Sequence, residues 1–447
     1  MKKIVILLSL LFVITIFSIE SFCAEKPSIY NIKSKSAVLI DAETGSVLFD
    51  KNMNMKMYPA SITKIMTAML ALEQKELNDV LTTSHNAVYS LPFNTSHIAL
   101  FEDEQLTLEQ ALYALGIESA NDASNVIAEN TYGSIENFAQ KMTEKAKLLG
   151  AVNTNFTNPH GLPDDNHYTT AYDMALITAQ AIKVPKLTKF FSTNRYDMGP
   201  TNKRDVIRQF WNANDFVNKN KTCEGLVMSK TGWTQAAEHT LVTVCERNGV
   251  TLIAVVMSSK HKRDKFDDTQ LLMDYGFENF HSTSVDSNDI IKNAPKTIQY
   301  PDGTQANIDL KSILAEDMDV VVPKDYSKDN ITFKFDEAKF NESQNHITIN
   351  TNLFYNDGQE DIWAGNQIIS VVLDTDLPED TSGKIVVIFQ KIFYILIIVV
   401  LWAIIAGLVV IAIKQVIILE NRRRNRKRQQ KRKKIIHDMN KKENQNL

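Results

Sequence analysis

The stretch Tyr58-Pro59-Ala60-Ser61-Ile62-Thr63-Lys64-Ile65-Met66 sets a serine and a lysine three residues apart at the expected start of a helix. Residues i and i+3 share a helical face, so the hydroxyl and the ammonium can meet. Ile62, Ile65, Met66, Met69 and Leu70 follow with helical spacing, which predicts a buried helix running to about Glu73. Lys64 then lies at the edge of an apolar stripe. Desolvation there favours the neutral amine, which can take a serine proton. The same pair equally describes a capped helix start with a solvated lysine. Its company in the chain decides between the two.

Working outward, Ser36 to Asp50 reads as a hairpin of two β-rich runs about a turn at Glu43-Thr44-Gly45. Residues 107–150 are helical with breaks. Ser134 is an expected N-cap, Phe138, Met142, Ala146 and Leu149 form one apolar face, and Gly150 ends it. Gly116 to Ala123 interrupts two helical patterns, and Thr170 to Ile182 is helical again. Ser192 to Thr222 is polar and aperiodic apart from Phe210-Trp211, and no element is assigned to it. Gly225 to Gly232, Thr240 to Glu246 and Thr251 to Met257 are expected strands, the last two joined by the turn Arg247-Asn248-Gly249-Val250. A helix from about Lys265 to Tyr275 is expected to end at Gly276. From Ser284 to about Thr381 helical periodicity gives way to short alternating runs, such as Ile331 to Phe335 and His346 to Asn350, which predict a small all-β domain. Leu377 to Gly383 reads as a polar linker.

The ends and the charge place this body. At 447 residues the chain exceeds one ordinary domain, and 44% hydrophobic with 23% charged residues can build a normal core. Met1-Lys2-Lys3 precedes an uncharged run from Ile4 to Ile19, with small residues around Cys23-Ala24, so 1–24 is expected to be a secretory signal, with an uncleaved anchor as the alternative. Ile392 to Ile413 holds 22 residues without a charge, enough to cross a bilayer, and the segment Asn421 to Lys434 that follows is rich in Arg and Lys. The expected order is signal 1–24, first domain 25–283, β-rich domain and linker 284–383, transmembrane helix 390–414 and basic cytoplasmic tail 415–447. The net charge of −4 divides into −14 before Lys414 and +10 from there on. The acidic body argues against nucleic acid as a partner, and the basic tail after a span argues for anionic lipid. Three cysteines exclude a disulfide framework as the main staple.

Three short motifs stand in order: Ser61-Ile62-Thr63-Lys64, Ser119-Ala120-Asn121 and Lys230-Thr231-Gly232. Each is weak alone. Together they resemble the penicilloyl serine transferases, the S-x-x-K, S-x-N, K-T-G superfamily. The closer resemblance is to the low-molecular-mass penicillin-binding proteins that act as serine D-Ala-D-Ala carboxypeptidases, peptidase family S11. Ala37 to Leu48, Tyr58 to Thr67, Ser119 to Ala123, Asn158-Pro159-His160-Gly161-Leu162 and Phe266 to Phe277 carry it further, over about residues 30–280. The resemblance implies an α/β (α+β) penicillin-binding, β-lactamase-like transpeptidase domain. Its antiparallel sheet is flanked by helices, and Ser61 stands at the foot of a helix. A small all-β domain and one C-terminal transmembrane helix are expected after it.

The implied chemistry assigns each residue a task. Ser61 attacks the carbonyl of the terminal D-Ala-D-Ala bond and becomes acylated, with Lys64 as its general base. Ser119 relays a proton to the leaving D-alanine. Asn121 holds the substrate amide and positions Lys64. Lys230 and Thr231 bind the free carboxylate, Gly232 keeps the strand edge open for the substrate, and the backbone N–H groups of Ser61 and Trp233 form an oxyanion hole. The expected substrate is a peptidoglycan stem peptide ending in D-Ala-D-Ala, with β-lactam antibiotics as inhibitors and the catalytic domain outside the cell membrane. A DD-endopeptidase, a β-lactamase or a catalytically silent wall-binding tether are the alternatives. No His, Asp or Cys cluster has metal-ligand spacing, and no cofactor is expected. Family members often carry glycine near Glu238, so Glu238 and His239 are expected to reshape the strand start or the groove rim. His160 and His239 are read as structural, and Asp164 and Asp165 as turn residues rather than deacylating carboxylates. Antiparallel pairing about residues 235–236 would set Cys223 nearly opposite Cys245, either as a cross-strand disulfide or as two buried thiols.

Overall fold

The hairpin at Ser36 to Asp50 forms as its two β-rich runs and turn predict. Strands β1 (Ser36–Asp41) and β2 (Val47–Lys51) pair antiparallel, with Leu39 opposite Phe49, and Gly45 takes the left-handed turn position at φ 79°. The structure, a computed structural model, describes residues 29–299, 305–340, 346–358 and 360–372. The expected signal, linker, span and basic tail lie outside these residues. Among the described residues no helix is long and apolar enough to cross a membrane. Contacts gather the described residues 29–298, 307–340, 347–358 and 360–372 into one large unit.

Within the large unit the helices come next: α1 (Lys64–Gln74), α2 (Leu108–Ile117), α3 (Asn121–Tyr132), α4 (Ile135–Leu148) and α5 (Ala171–Ala181). Their ends follow local chemistry. Thr107 caps α2 through a reciprocal bond with Gln110, and Ser134 and Thr170 cap α4 and α5. The stretch Ser192 to Thr222, to which the sequence assigned nothing, contains a short hairpin of β3 (Arg195–Met198) and β4 (Arg208–Trp211). A fully buried Glu104 anchors it through Arg208 at 2.6 Å. That contact is remote in sequence, so no local pattern announces it.

Strands β5 (Leu226–Thr234), β6 (Glu238–Arg247) and β7 (Val250–Ser259) join the hairpin in one antiparallel sheet ordered β2-β1-β7-β6-β5, followed by helix α6 (Lys262–Asn279). Side chains alternate across it. Val38, Ile40, Val242, Val244, Ile253 and Val255 join the core shared with α1 to α5, while Ala37, Leu39, Leu241, Leu252, Ala254 and Val256 pack against α6. Each Val, Leu or Ile among these contributes roughly 1.5–3 kcal/mol when fully buried.

Helix α6 does not stop at Gly276; it continues through it to Asn279. A Cβ at Gly276 would lie 2.5 Å from Leu252 and 2.7 Å from Leu39. This glycine therefore lets the helix press onto the sheet rather than ending it. Cys223 and Cys245 come together as the pairing arithmetic predicts. Both are buried thiols with their sulfurs 2.8 Å apart. Their contact, together with burial, raises the pKa of Cys245, while the same contact lowers that of Cys223.

Beyond α6 come β8 (Phe280–Val285), β9 (Ile313–Leu314), β10 (Met318–Pro323), β11 (Ile331–Phe335), β12 (His346–Asn356) and β13 (Asp361–Val372). They form a β8-β10 pair and a sheet ordered β9-β13-β12-β11. This part is not wholly β: Ser287–Asn293 is a short helix capped by the Asp286 side chain. Seven residues are too few for a periodic apolar stripe to register in the sequence.

Candidate active site

Ser61 stands in a 3-10 turn, Ala60–Thr63, that runs directly into α1. The turn is over-determined from outside. Ala60 is held at φ 52°, a left-handed conformation costing a non-glycine residue about 1–2 kcal/mol. Thr240 Oγ1 on β6 donates to Pro59 O at 2.9 Å, and Thr67 Oγ1 on α1 donates to Pro159 O at 2.6 Å. The loop after Asn158 also leans on it, for a Cβ at Gly161 would lie 1.9 Å from Ala60 O.

Lys64 is fully buried, and its Nζ lies 2.7 Å from Asn121 Oδ1, 2.7 Å from His160 O and 3.1 Å from Ser61 Oγ. Burial first, and then the positive charge of Lys230, hold its pKa well below the ordinary lysine value, with Asp122 opposing. A neutral amine has two N–H bonds and one lone pair. The two carbonyl oxygens take both N–H bonds, which leaves the lone pair facing the Ser61 hydroxyl. This is the geometry a general base needs.

Asn121 opens α3, and its backbone N–H donates to Ser96 O at 2.8 Å. Next to it the Asp122 carboxylate accepts from the backbone of Ile98 and Leu100, fixing the loop that bears Ser96. Ser119 lies just before α3 at φ 56°, again left-handed. Its Oγ accepts from Lys230 Nζ at 3.0 Å. Lys230 is 3% exposed, and burial first and then Lys265 lower its pKa to about 7. Lys265, also nearly buried, is lowered to about 8 by burial and then Lys262, with Asp215 opposing.

Gly232 sits where β5 touches the nucleophile turn. A Cβ there would lie 2.3 Å from Thr240 Oγ1 and 2.9 Å from Ser61 N. Only a residue without a side chain lets these two backbones meet. Trp233 follows, 61% exposed. Ser61, Ser119, Lys230, Thr231, Gly232 and Trp233 line one groove of about 250 Å³, joined by Ser96, Trp211, Asn214 and Lys265. The three sequence motifs thus converge on one place, with Lys64 and Asn121 directly behind Ser61.

Glu238 and His239 do not line this groove. Glu238 is held at φ 56°, the left-handed region natural to glycine, and opens β6. Its carboxylate turns to Ser258 Oγ and to Lys35 Nζ, the latter at 3.0 Å. His239 packs beside Trp233 with ring centroids 6.2 Å apart, so it backs the rim rather than filling the groove. His160 serves through its backbone oxygen, while its ring accepts from Leu162 N–H. Asp164 accepts from Asn166 N–H and Asp165 lies 3.5 Å from Tyr58 OH, so both work in the turn. Among the described residues no group of three or more His, Cys, Asp or Glu side chains could hold a metal ion.

Sequence reasoning missed Lys265, Ser96, Trp211 and Asn214. Lys265 had one readable signal, its place at the start of a helix following a central strand. The others reach the site through long-range packing.

The family model for D-alanyl-D-alanine carboxypeptidase, peptidase S11, matches residues 21–261. The D-alanyl-D-alanine carboxypeptidase DacF of Bacillus subtilis (strain 168) is 33% identical over 315 residues, covering 67% of this chain and 78% of that protein. The D-alanyl-D-alanine carboxypeptidase DacA of Haemophilus influenzae is 30% identical over 258 residues, covering 56% of this chain and 63% of that one. The crystal structure of penicillin binding protein 5 from Haemophilus influenzae superposes with a TM-score of 0.61 at 26% identity, covering 78% of this chain and 98% of that one.

Proposed function

Because the chain belongs to the peptidase S11 family and is a serine-type D-alanyl-D-alanine carboxypeptidase, we propose that Ser61, Lys64 and Ser119 carry its chemistry and that Asn121 and Lys230 to Trp233 hold its substrate. The observation that carries this reading is the buried Lys64 amine, 2.7 Å from each of two carbonyl oxygens and 3.1 Å from Ser61 Oγ. Ser61 Oγ attacks the carbonyl carbon of the penultimate D-alanine as Lys64 takes the hydroxyl proton. The developing oxyanion is held by the N–H groups of Ser61 and Trp233, each such donor contributing roughly 3–4 kcal/mol. As the tetrahedral species collapses, the C–N bond breaks and a proton passes to the D-alanine amine through Lys64 and Ser119. Water then attacks the acyl carbon as Lys64 takes its proton; the ester C–Oγ bond breaks, Lys64 returns the proton to Ser61 Oγ, and the shortened stem peptide leaves. Lys230 and Thr231 bind the terminal carboxylate, and Lys265 adds a second positive charge close by.

A β-lactam presents its strained amide to the same hydroxyl and is expected to acylate Ser61. For location, the signal at 1–24, the uncharged run within 390–414 and the basic tail at 415–447 support a single-pass membrane protein with its catalytic domain outside and its tail inside. The experiment uses the full-length chain in detergent micelles. A peptide ending in D-Ala-D-Ala should yield free D-alanine, a fluorescent penicillin should label the protein, and Ser61→Ala should abolish both. D-alanine release by Ser61→Ala, or neither release nor labelling by the folded wild type, would refute the assignment. Degradation of the 415–447 tail by protease added to intact cells would refute the topology.

A further inference from the structure

Thr63 lies in the chain between the nucleophile and its base, yet its side chain turns away from the groove. It is fully buried, and its Oγ1 lies 3.0 Å from Nε2 of His167, which is fully buried as well. The other ring nitrogen, Nδ1, receives the backbone N–H of Thr157 at 3.1 Å. A backbone N–H can only donate, so Nδ1 is unprotonated. The single ring proton is therefore on Nε2 and is donated to Thr63 Oγ1. Phe156 packs edge-on against the ring at 5.5 Å between centroids, and the His167 backbone N–H donates to Asp164 O at 2.8 Å.

One imidazole thus ties the nucleophile turn to both ends of the loop 157–167. That loop also supplies His160 O, one of the two oxygens that occupy the Lys64 N–H bonds. The distance between turn and loop therefore sets whether Lys64 keeps its lone pair on Ser61. A second proton on the ring would point at the Thr157 N–H, so the neutral form alone fits. Burial holds the ring pKa at about 4, with the charge of Lys64 assisting and Asp164 opposing.

We propose that His167 is a positioning residue for the acylation step: through Thr63 it holds the loop oxygen and the nucleophile turn at the spacing that aims Lys64 at Ser61. This deepens the acyl-enzyme reading above and rests on it. Loosening that spacing costs rate rather than substrate affinity, since His167 is not among the groove-lining residues. A misplacement of about 1 Å near reacting atoms can cost roughly 100-fold.

The test measures acylation by a fluorescent penicillin and D-alanine release, using full-length wild type, His167→Phe, His167→Gln and Thr63→Val. His167→Phe removes both ring bonds, Thr63→Val removes the acceptor alone, and His167→Gln keeps one N–H donor and one acceptor. His167→Phe and Thr63→Val are expected to lose about 10- to 100-fold in kcat with KM within about two-fold. His167→Gln is expected to recover most of that rate. The acid limb of the rate profile should move to higher pH in the impaired variants, as Lys64 loses its tight enclosure. The groups facing Lys64 are Ser61, Asn121, His160, Asp122 and Lys230. Full-rate acylation by Thr63→Val overturns the proposal, even if His167→Phe fails to fold. So does a His167→Gln that folds and is as slow as His167→Phe. A folded wild type that is never acylated would instead defeat the acyl-enzyme reading itself.

Discussion

Two lysines of one site, Lys64 behind Ser61 and Lys230 in the groove, are alike in type and in burial but differ in what surrounds them. Lys64 points at two oxygens of neutral amide groups, Asn121 Oδ1 and His160 O, so its environment rewards N–H donation without rewarding charge. Lys230 points at the Ser119 hydroxyl and the Thr231 carbonyl and shares the groove with Lys265, an arrangement that an arriving carboxylate would complete. The difference teaches that burial alone does not decide the task of a lysine. Partners that satisfy it in the neutral state make a base, whereas cations clustered at an open groove make an anion anchor.

The comparison breaks most visibly at Lys230. Lys230→Ala should lower kcat/KM for a D-Ala-D-Ala peptide by about 100-fold, because removing one partner of a desolvated charge pair costs about 2–5 kcal/mol. Amidating the peptide's terminal carboxylate should impair the wild type but add little to the Lys230→Ala defect. A variant equally sensitive to amidation would move the carboxylate elsewhere in the groove.

A pH profile sharpens the same contrast with a smaller effect. Lys64 must be neutral to accept a proton, so kcat/KM falls as pH drops through its depressed pKa. Lys230 must be charged to hold an anion, so kcat/KM falls as pH rises through about 7, with Lys265 following near 8. Bound carboxylate stabilises both cations, so the alkaline limb of kcat should lie at higher pH than that of kcat/KM. An alkaline limb of kcat/KM unchanged in Lys230→Ala would show that Lys230 does not titrate there.

The smallest effect is expected at Glu238. Glu238→Gly relieves the left-handed backbone and removes the bonds to Ser258 and Lys35, two changes of opposite sign. Thermal denaturation should shift by only a few degrees, and kcat/KM should stay within about two-fold of wild type. A ten-fold change in kcat/KM would mean that Glu238 acts on the groove after all.

Much of the site was legible because its motifs are local. Ser61 and Lys64 share one turn, Ser119 and Asn121 flank one helix start, and Lys230 to Gly232 occupy one strand, so spacing and flanking pattern suffice to pick them out. The helix boundaries marked by Ser134 and Thr170 were readable for the same reason: a cap acts on its own first turn. Gly276 misled, because a glycine that permits close packing looks the same in sequence as one that ends a helix. The hairpin at Arg195–Met198 and Arg208–Trp211 stayed hidden because its anchor, Glu104, lies about a hundred residues away.

By itself the sequence determined the reaction class, the residues of the three motifs and, from β-rich runs and turn residues, the strands of the antiparallel sheet. These follow from side-chain chemistry and from periods of 2 and 3.6, which are properties of neighbouring residues. Only the tertiary structure decided that Lys64 meets two neutral carbonyl oxygens while Lys230 shares its groove with Lys265, that Glu238 faces Ser258 and Lys35 rather than the groove, and that His167 lies against Thr63. Those outcomes depend on burial and on partners brought together across the sheet, and neither burial nor long-range partnership is a local property of the chain.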